Sequence, residues 1–377
     1  MPLPTGQISF DEINIELEIA SGTQISLNDA AVRGLAEVPT GQIAMSNLQG
    51  KSNAQYLVAS GGTETTVGDY KVHVFNSTGT FTVNAVGNPA GSDAVDYVVV
   101  AGGGSGGETS CEKWGTGGGG AGGYRESNPA PGTEWTGSPL AAPGGAVPVT
   151  VTSYPITIGG GGAAPGSPGI RGTPGSPSIF STITSAGGGG GGGGSLNIAP
   201  GLTGGSAGGN AHRFPYYPGT GPTAGNNPPT TPAQGCAGGA ACRGAYPRGA
   251  PTFGVNTCEY SGGGGGATQV GTTIPQPTNS STCNIVGGAG ATSEITGASQ
   301  TLAGGGGGGG SATNNSGGAG GGGGGGSFGD RNNSRVYAGG ANTGGGGGGA
   351  ACRNTGCPQT MAKPGGSGKV ILRYKFQ

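Results

Sequence analysis

The side chains that could hold a metal or act as nucleophiles are few. Seven cysteines (Cys111, Cys236, Cys242, Cys258, Cys283, Cys352 and Cys357) and two histidines (His73 and His212) are the thiols and imidazoles available. Neither close cysteine pair, Cys236 with Cys242 or Cys352 with Cys357, has the spacing of a zinc knuckle. Only the two histidines could complete a ligand set. Local disulfides closing loops suit these cysteines better, with free thiols as the alternative. A phosphate-cradling loop needs Gly-Lys-Ser/Thr opening a helix, and here Gly368-Lys369 runs into Val370 and a strand. A Ser-His-Asp site would rest on His73, which sits mid-strand, or on His212. Beyond residue 52 the acidic residues are scattered, which singles out no carboxylate pair for glycoside chemistry. The reading is a protein that is not an enzyme, with no catalytic residues, no cofactor and no metal.

Charge excludes another class. Sixteen basic and 17 acidic residues leave a net charge of −1, so no basic field exists to hold nucleic acid. The longest useful apolar stretch, Val95 to Ala101, is strand-sized, so no membrane insertion is expected. The opening Met1-Pro2-Leu3-Pro4-Thr5 lacks the basic and apolar regions of a signal peptide. Synthesis in a cytoplasm is therefore expected.

What remains is binding chemistry. The stretch 195–285 is rich in Pro, Cys and aromatic residues. It carries His212, Arg213, Phe214, Tyr216 and Tyr217, then Arg243, Tyr246, Arg248, Phe253 and Tyr260. Aromatic and arginine side chains on loops held by a rigid scaffold suit recognition of a surface. The competing reading is that these rings cap and pack the end of the scaffold.

A scaffold must come from unusual material. Of 377 residues, 96 are glycine and 27 proline, with only 9% charged and 6% aromatic. Average usage is roughly 7% Gly and 5% Pro. Pure glycine runs (117–120, 159–162, 187–194, 262–266, 304–310, 320–326 and 344–349) punctuate residues 102–366. Several follow a short apolar lead-in, such as Ile156-Thr157-Ile158 or Leu302-Ala303, giving an irregular repeat of strand then glycine. Ordering polyglycine costs more backbone entropy than any other sequence. One compensation is a polyproline-II-like helix with three residues per turn. Without side chains such helices pack closely, and N–H···O bonds run between neighbours. The number of runs favours a bundle of these helices over flexible linkers. Gly166, Gly169, Gly172 and Gly175 keep a strict period of three. That stretch reads as an extended left-handed connector or a short three-chain collagen-like patch.

Strand signals bracket the glycine. Tyr70 to Phe75 and Phe81 to Ala85 flank Asn76-Ser77-Thr78-Gly79, which reads as a hairpin. Asp96 to Val100 reads as a buried strand, and Lys369 to Phe376 as another that pairs with the first group. The fold class expected is mostly β and irregular. Its parts are an N-terminal attachment or oligomerisation module (1–52), a small β-domain (53–101, completed by 367–377), and a glycine-rich body (102–366) with a loop insertion at 195–285.

Residues 1–52 repeat. Gln7-Ile8-Ser9-Phe10, Gln24-Ile25-Ser26-Leu27 and Gln42-Ile43-Ala44-Met45 recur at similar intervals. Ser9 with Glu12 fits a capping box, and Asp29 to Leu35 reads as a short helix ended by Gly34. The segment looks too small to bury a core alone. Its apolar residues Ile8, Phe10, Ile13, Ile25, Leu27, Val32, Leu35, Ile43, Met45 and Leu48 are then expected to dock onto a partner or sister chains. Packing of this arm onto its own β-domain is the alternative.

These residues resemble a family. Gly68 to Phe75, Gly79 to Val83 and Val95 to Gly104 look like the opening of the glycine-rich domains of tailed-bacteriophage fibres and adhesins. Gly365 to Tyr374 is similar to their ending, and the Gly6-Gln7-Ile8-Ser9-Phe10 unit resembles modules that open marine phage structural proteins. The resemblance implies a virion protein, made in the host cytoplasm and carried on the extracellular particle. It implies a tail-fibre or adhesin role, with a layered bundle of polyglycine helices whose loops contact a host glycan or outer-membrane protein. It further implies attachment to other virion proteins through 1–52 and a homo-oligomer, a trimer for a fibre. A capsid-decoration, fibre-shaft or filament subunit without receptor binding is the alternative. The stretch 195–285 departs from plainer members.

Overall fold

Alternation of apolar residues builds two sheets that face each other. The computed structural model describes residues 2–88, 91–110, 115–129, 135–194, 200–211, 222–243, 259–273, 285–309, 336–351 and 361–377. Its strands are β1 (Val58–Ser60), β2 (Thr63–Val67), β3 (Tyr70–Phe75), β4 (Gly79–Ala85), β5 (Ala94–Val100), β6 (Tyr124–Ser127), β7 (Ala141–Ala142), β8 (Val147–Pro148), β9 (Ser153–Thr157), β10 (Ser178–Phe180), β11 (Ile183–Ser185), β12 (Cys242–Arg243), β13 (Glu259–Tyr260), β14 (Ala291–Ser293), β15 (Gln300–Leu302) and β16 (Lys369–Lys375). Helix among the described residues is confined to α1 (Phe10–Glu16), α2 (Ala30–Leu35) and one turn of 3-10 helix at Met45–Leu48.

One sheet runs β1-β4-β9-β10-β11 and the other β2-β3-β16-β5-β6-β7. Phe81, Val83, Ile156 and Phe180 of the first pack on Phe75, Val95, Tyr97, Val99, Val370, Leu372 and Tyr374 of the second. The opposite face of the second sheet is covered too: Val98, Val100 and Ile371 pack with Tyr124, Trp135, Ile295 and Leu302. Burial on both faces explains why β5 is a nearly continuous apolar run and why β16 carries Val370, Ile371 and Leu372 in succession. The C-terminal β16 pairs with both β3 and β5.

Three expectations change here. The Asn76–Gly79 turn does not make a hairpin, because β3 lies in one sheet and β4 in the other. A short link with turn residues serves equally to cross the ~10 Å between packed sheets, and composition does not separate the two cases. The β-domain is wider than 53–101 with 367–377, since β6 to β11 complete both sheets. Their short apolar pieces read as lead-ins to glycine, yet pair as strands. Likewise 195–285 is not one insertion: residues 204–210, 236–239 and 262–266 are hydrogen-bonded among the glycine segments.

Those segments form a lattice of rods. Along 101–108 the amide donors rotate among three neighbours. Ala101, Gly104 and Gly107 donate to Gly123, Gly120 and Gly117; Gly102, Ser105 and Glu108 to Ser176, Thr173 and Ile170; Gly103 and Gly106 to Gly366 and Lys363. Each of these partners runs antiparallel. The same rod accepts from three parallel neighbours, through Gly188, Gly191 and Gly194, through Gly347 and Ala350, and through Gly162. Six neighbours around one rod, addressed with a period of three, is the hydrogen-bonding pattern of packed threefold helices. Side chains are excluded by proximity. A Cβ on Gly119 would lie 2.1 Å from the Gly104 carbonyl oxygen. The Gly-X-Y stretch is one of these rods: Gly172 and Gly175 turn inward while Arg171, Thr173, Pro174 and Ser176 stay exposed. Its neighbours belong to the same chain, so the three-chain collagen reading does not hold.

Residues 3–48 enclose a miniature core of their own, contrary to expectation. Ile8, Ile13, Val32, Leu35 and Leu48 are buried in it with Leu3 and Ala36, and Ile25, Leu27, Ile43 and Met45 pack against it. The Ser9–Glu12 capping box forms. Gly34 lies inside α2 rather than ending it. The left-handed position falls on Glu37 (φ 59°), with Val38 N bonded to Arg33 O.

Candidate functional site

Strand register fixes what lies at each end of the molecule. β5, β9 and β11 run directly into glycine rods, and β16 emerges from one. Their glycine-side ends define the base of the bundle. Val58 pairs with Ala85 at the other end of the sandwich, and Leu57 N bonds to Ser92 Oγ, which donates to the carbonyl of Lys375. The N-terminal module therefore joins the sandwich at the end remote from the bundle. Glu16, buried in the module, accepts from Ser52 Oγ at 2.7 Å and Asn53 N at 2.8 Å and anchors the junction.

At the base the rods are joined by ordered pieces: the β10–β11 hairpin, residues 226–234, the β14–β15 hairpin and the turn at 341–344. The other end differs. The described residues flanking 111–114, 195–199, 212–221, 244–258, 274–284, 310–335 and 352–360 all lie there. Ser110 N and Oγ both donate to Gly194 O, Gly115 bridges Ala351, and Gly308 N bonds to Ile285 O. Only the turn at 166–169 closes this end wholly within the described residues.

Polar side chains terminate the lattice where backbone partners run out. Glu108 is buried, and its carboxylate accepts from Ala362 N at 2.8 Å and Thr109 N at 3.1 Å. Burial raises its pKa above the usual carboxylate range, opposed by those bonds and the charge of Lys363. Thr116 Oγ1 donates to the carbonyls of Gly107 and Ala350. Ser261 Oγ donates to Gly309 O. Asn210 Oδ1 accepts from Gly201 N and Thr223 Oγ1 at 2.8 and 2.7 Å. Exposed Ile170, Tyr337 and Met361 stand at the rim. These residues were not singled out from sequence; their signal is a lone polar residue at the end of a glycine run.

The described neighbours of 212–221 and 244–258 lie at this end. His212, Arg213, Phe214, Tyr216, Tyr217, Tyr246, Arg248 and Phe253 lie outside the described residues. The backbones of Arg243 and Tyr260 form the two-residue ladder β12–β13. Among the cysteines, Cys236 is a free thiol with Sγ 3.5 Å from Ala267 O. Cys111, Cys258, Cys283, Cys352 and Cys357 lie outside the described residues, and for Cys242 only the backbone is described, so the disulfide expectation falls there. His73 is buried in the sandwich. Its Nδ1 meets Gly61 O at 2.7 Å, and its ring stacks on Tyr374 and meets the edge of Phe81. Among the described residues no His, Cys, Asp and Glu cluster is arranged to hold a metal.

Of the ten expected docking residues, nine line or support the module's own core, and Phe10 alone is largely exposed, at 45%. The buried ones hold the module together and leave its surface to others.

Residues 76–375 match the glycine-rich domain family, and the chain belongs to that family. No curated protein matches it.

Proposed function

We propose that the chain is a virion structural protein, a tail-fibre or adhesin component of a tailed phage that contacts the host cell surface. The observation that supports this reading most is polarity. The N-terminal module joins one end of the sandwich, and the described residues flanking seven further stretches lie at the opposite end of a bundle grown from the other. The rods are polyglycine-II helices in this reading. A bundle of glycine helices has few side chains to offer a ligand, so its value is as a rigid post. The post brings described residues far apart in sequence to one end, and in this reading the arginine and aromatic residues of 212–260 make the contact. A surface glycan or an outer-membrane protein fits their chemistry. The module is the attachment end, docking to another virion protein or to sister chains in a trimer.

The test is competition. Free protein should inhibit adsorption of the phage to its host, and replacing 212–221 with a Gly-Ser segment should abolish inhibition while the bundle stays folded. Failure of the free protein to bind cells, with antibody labelling on a shaft or capsid, would make the role purely structural.

A further inference from the structure

Three rods at the surface of the bundle share a rule in their amide donors. Along a threefold rod, every third N–H points the same way. In 170–177, Gly172 and Gly175 donate to Gly191 and Gly188, while Thr173 and Ser176 donate to Ser105 Oγ and Gly160 O. The remaining phase holds Arg171, Pro174 and Pro177, all exposed. In 361–368, Lys363 and Gly366 donate to Gly348 and Gly345, while Ala362, Gly365 and Gly368 donate to Glu108 Oε2, Gly162 and Gly159. The remaining phase holds Met361, Pro364 and Ser367. In 200–203, Gly201 donates to Asn210 Oδ1 and Leu202 to Gly190 O, which leaves Pro200 and Thr203.

Every proline of these rods stands in the phase that finds no backbone acceptor among the described residues, and no glycine stands there. Proline has no N–H to lose, so the position tolerates it. The consequence reaches further. A surface rod with free N–H groups at a period of three is the counterpart of an open sheet edge, ready to bond another glycine run. A sister chain carries such runs, 187–194 among them. Proline removes the donor, and its ring carbon replaces the hydrogen along the direction of the bond. Rods at lattice spacing leave no room for it: even a Cβ on Gly161 would fall against the carbonyl of Gly365. Exposed Gly160 belongs to rod 159–162, which is bonded to 170–177 on one flank and to 361–368 on the other. A proline-bearing rod therefore borders that glycine on each side.

We infer that proline closes this surface of the bundle to a second copy of the chain. Pro174 and Pro364 block lateral addition of a sister chain's glycine rod, so that chains joined elsewhere stay separate along their bundles. The inference concerns the flank of the lattice alone. Attachment through the module and adsorption to a host cell are separate measurements, so failure of one leaves the others standing.

The test compares full-length variants by sedimentation velocity over a concentration series, with circular dichroism to establish that each is folded. Pro174→Gly combined with Pro364→Gly restores two outward donors. Its self-association should be about ten-fold stronger than the parent's, the scale of two backbone bonds. Hydrogen exchange should then slow at 170–177 and 361–368 as concentration rises. Thr173→Gly combined with Lys363→Gly places glycine one position away on the same rods, where the amides are already bonded, and should sediment as the parent does. If the double proline variant does not fold, Pro174→Gly and Pro364→Gly singly carry the same readout. Folded proline variants that sediment as the parent does, or equal association in the control pair, overturn the inference.

Discussion

Alanine at two successive glycines should separate a packed lattice from a flexible tether. Gly160 and Gly161 share one run and the same local sequence. A Cβ on Gly161 would lie 2.0 Å from the carbonyl oxygen and 2.4 Å from the carbonyl carbon of Gly365. A Cβ on Gly160 meets nothing within 4 Å, and its φ is outside the left-handed region. Relief at Gly161 must push rod 159–162 away from rod 361–368. The bonds Gly365 N to Gly162 O (3.0 Å) and Gly368 N to Gly159 O (2.8 Å) join those rods. Overpacking costs about 1–3 kcal/mol, and two weakened bonds add about 0.5–1.5 kcal/mol each. Gly161→Ala is therefore expected to lose about 3 kcal/mol or more. Gly160→Ala should gain about 0.4–1 kcal/mol, because alanine reduces the entropy of the unfolded chain at no steric cost. Urea midpoints for the two variants and the parent, at constant m, measure the difference. Equal effects at the two positions would refute the lattice, since a tether is indifferent to which glycine carries the methyl.

Three further outcomes are expected. Burial holds the His73 pKa below its usual value, partly offset by the Gly61 carbonyl. Its contribution to stability is complete above the unfolded value of about 6.5 and is lost as pH falls from there through the folded value. His73→Gln should flatten that part of the denaturation profile between pH 7 and 5, and an unchanged slope would contradict the assignment. Glu126 is buried, accepts from Ser138 N at 2.8 Å, and has its pKa raised by desolvation. Its carboxylate form costs stability at high pH, so Glu126→Gln should be more stable than the parent at pH 8, and the gap should close as pH falls through the raised folded value. Deleting residues 2–52 removes a core separate from those of the sandwich. Calorimetry should find the body's transition within about 2 °C of the parent, given that about 1 kcal/mol moves a large domain by 2–4 °C, while incorporation into particles is lost.

The sequence is informative where a local rule acts alone. The Ser9–Glu12 capping box is a contact between residues three apart, and it forms as read. Period-three glycine through Gly172 and Gly175 is a property of one threefold rod, and the inward turn of those residues follows from it. Apolar β5 could be identified as a buried strand, and β16 as a strand, and each is covered on both faces.

Other features depend on what meets what across the chain. The same turn residues at 76–79 allow a hairpin or a crossing between sheets, and only the pairing of β4 with β9 chooses. Residues 1–52 looked too small for a core, but Leu3, Ile13, Val32 and Leu48 converge from four separate pieces. That convergence turns most of the expected docking residues inward and leaves Phe10 outside. Polyglycine has no side chains to encode neighbours, so a run such as 187–194 is compatible with any rod beside it. Its place between 101–108, 117–123 and 170–176 is decided by backbone bonds at long range and by the sandwich, whose strands set where each rod begins. Sequence favoured packed threefold rods over flexible linkers for the glycine runs. Only tertiary structure decided which rods touch, and so which rod ends lie together.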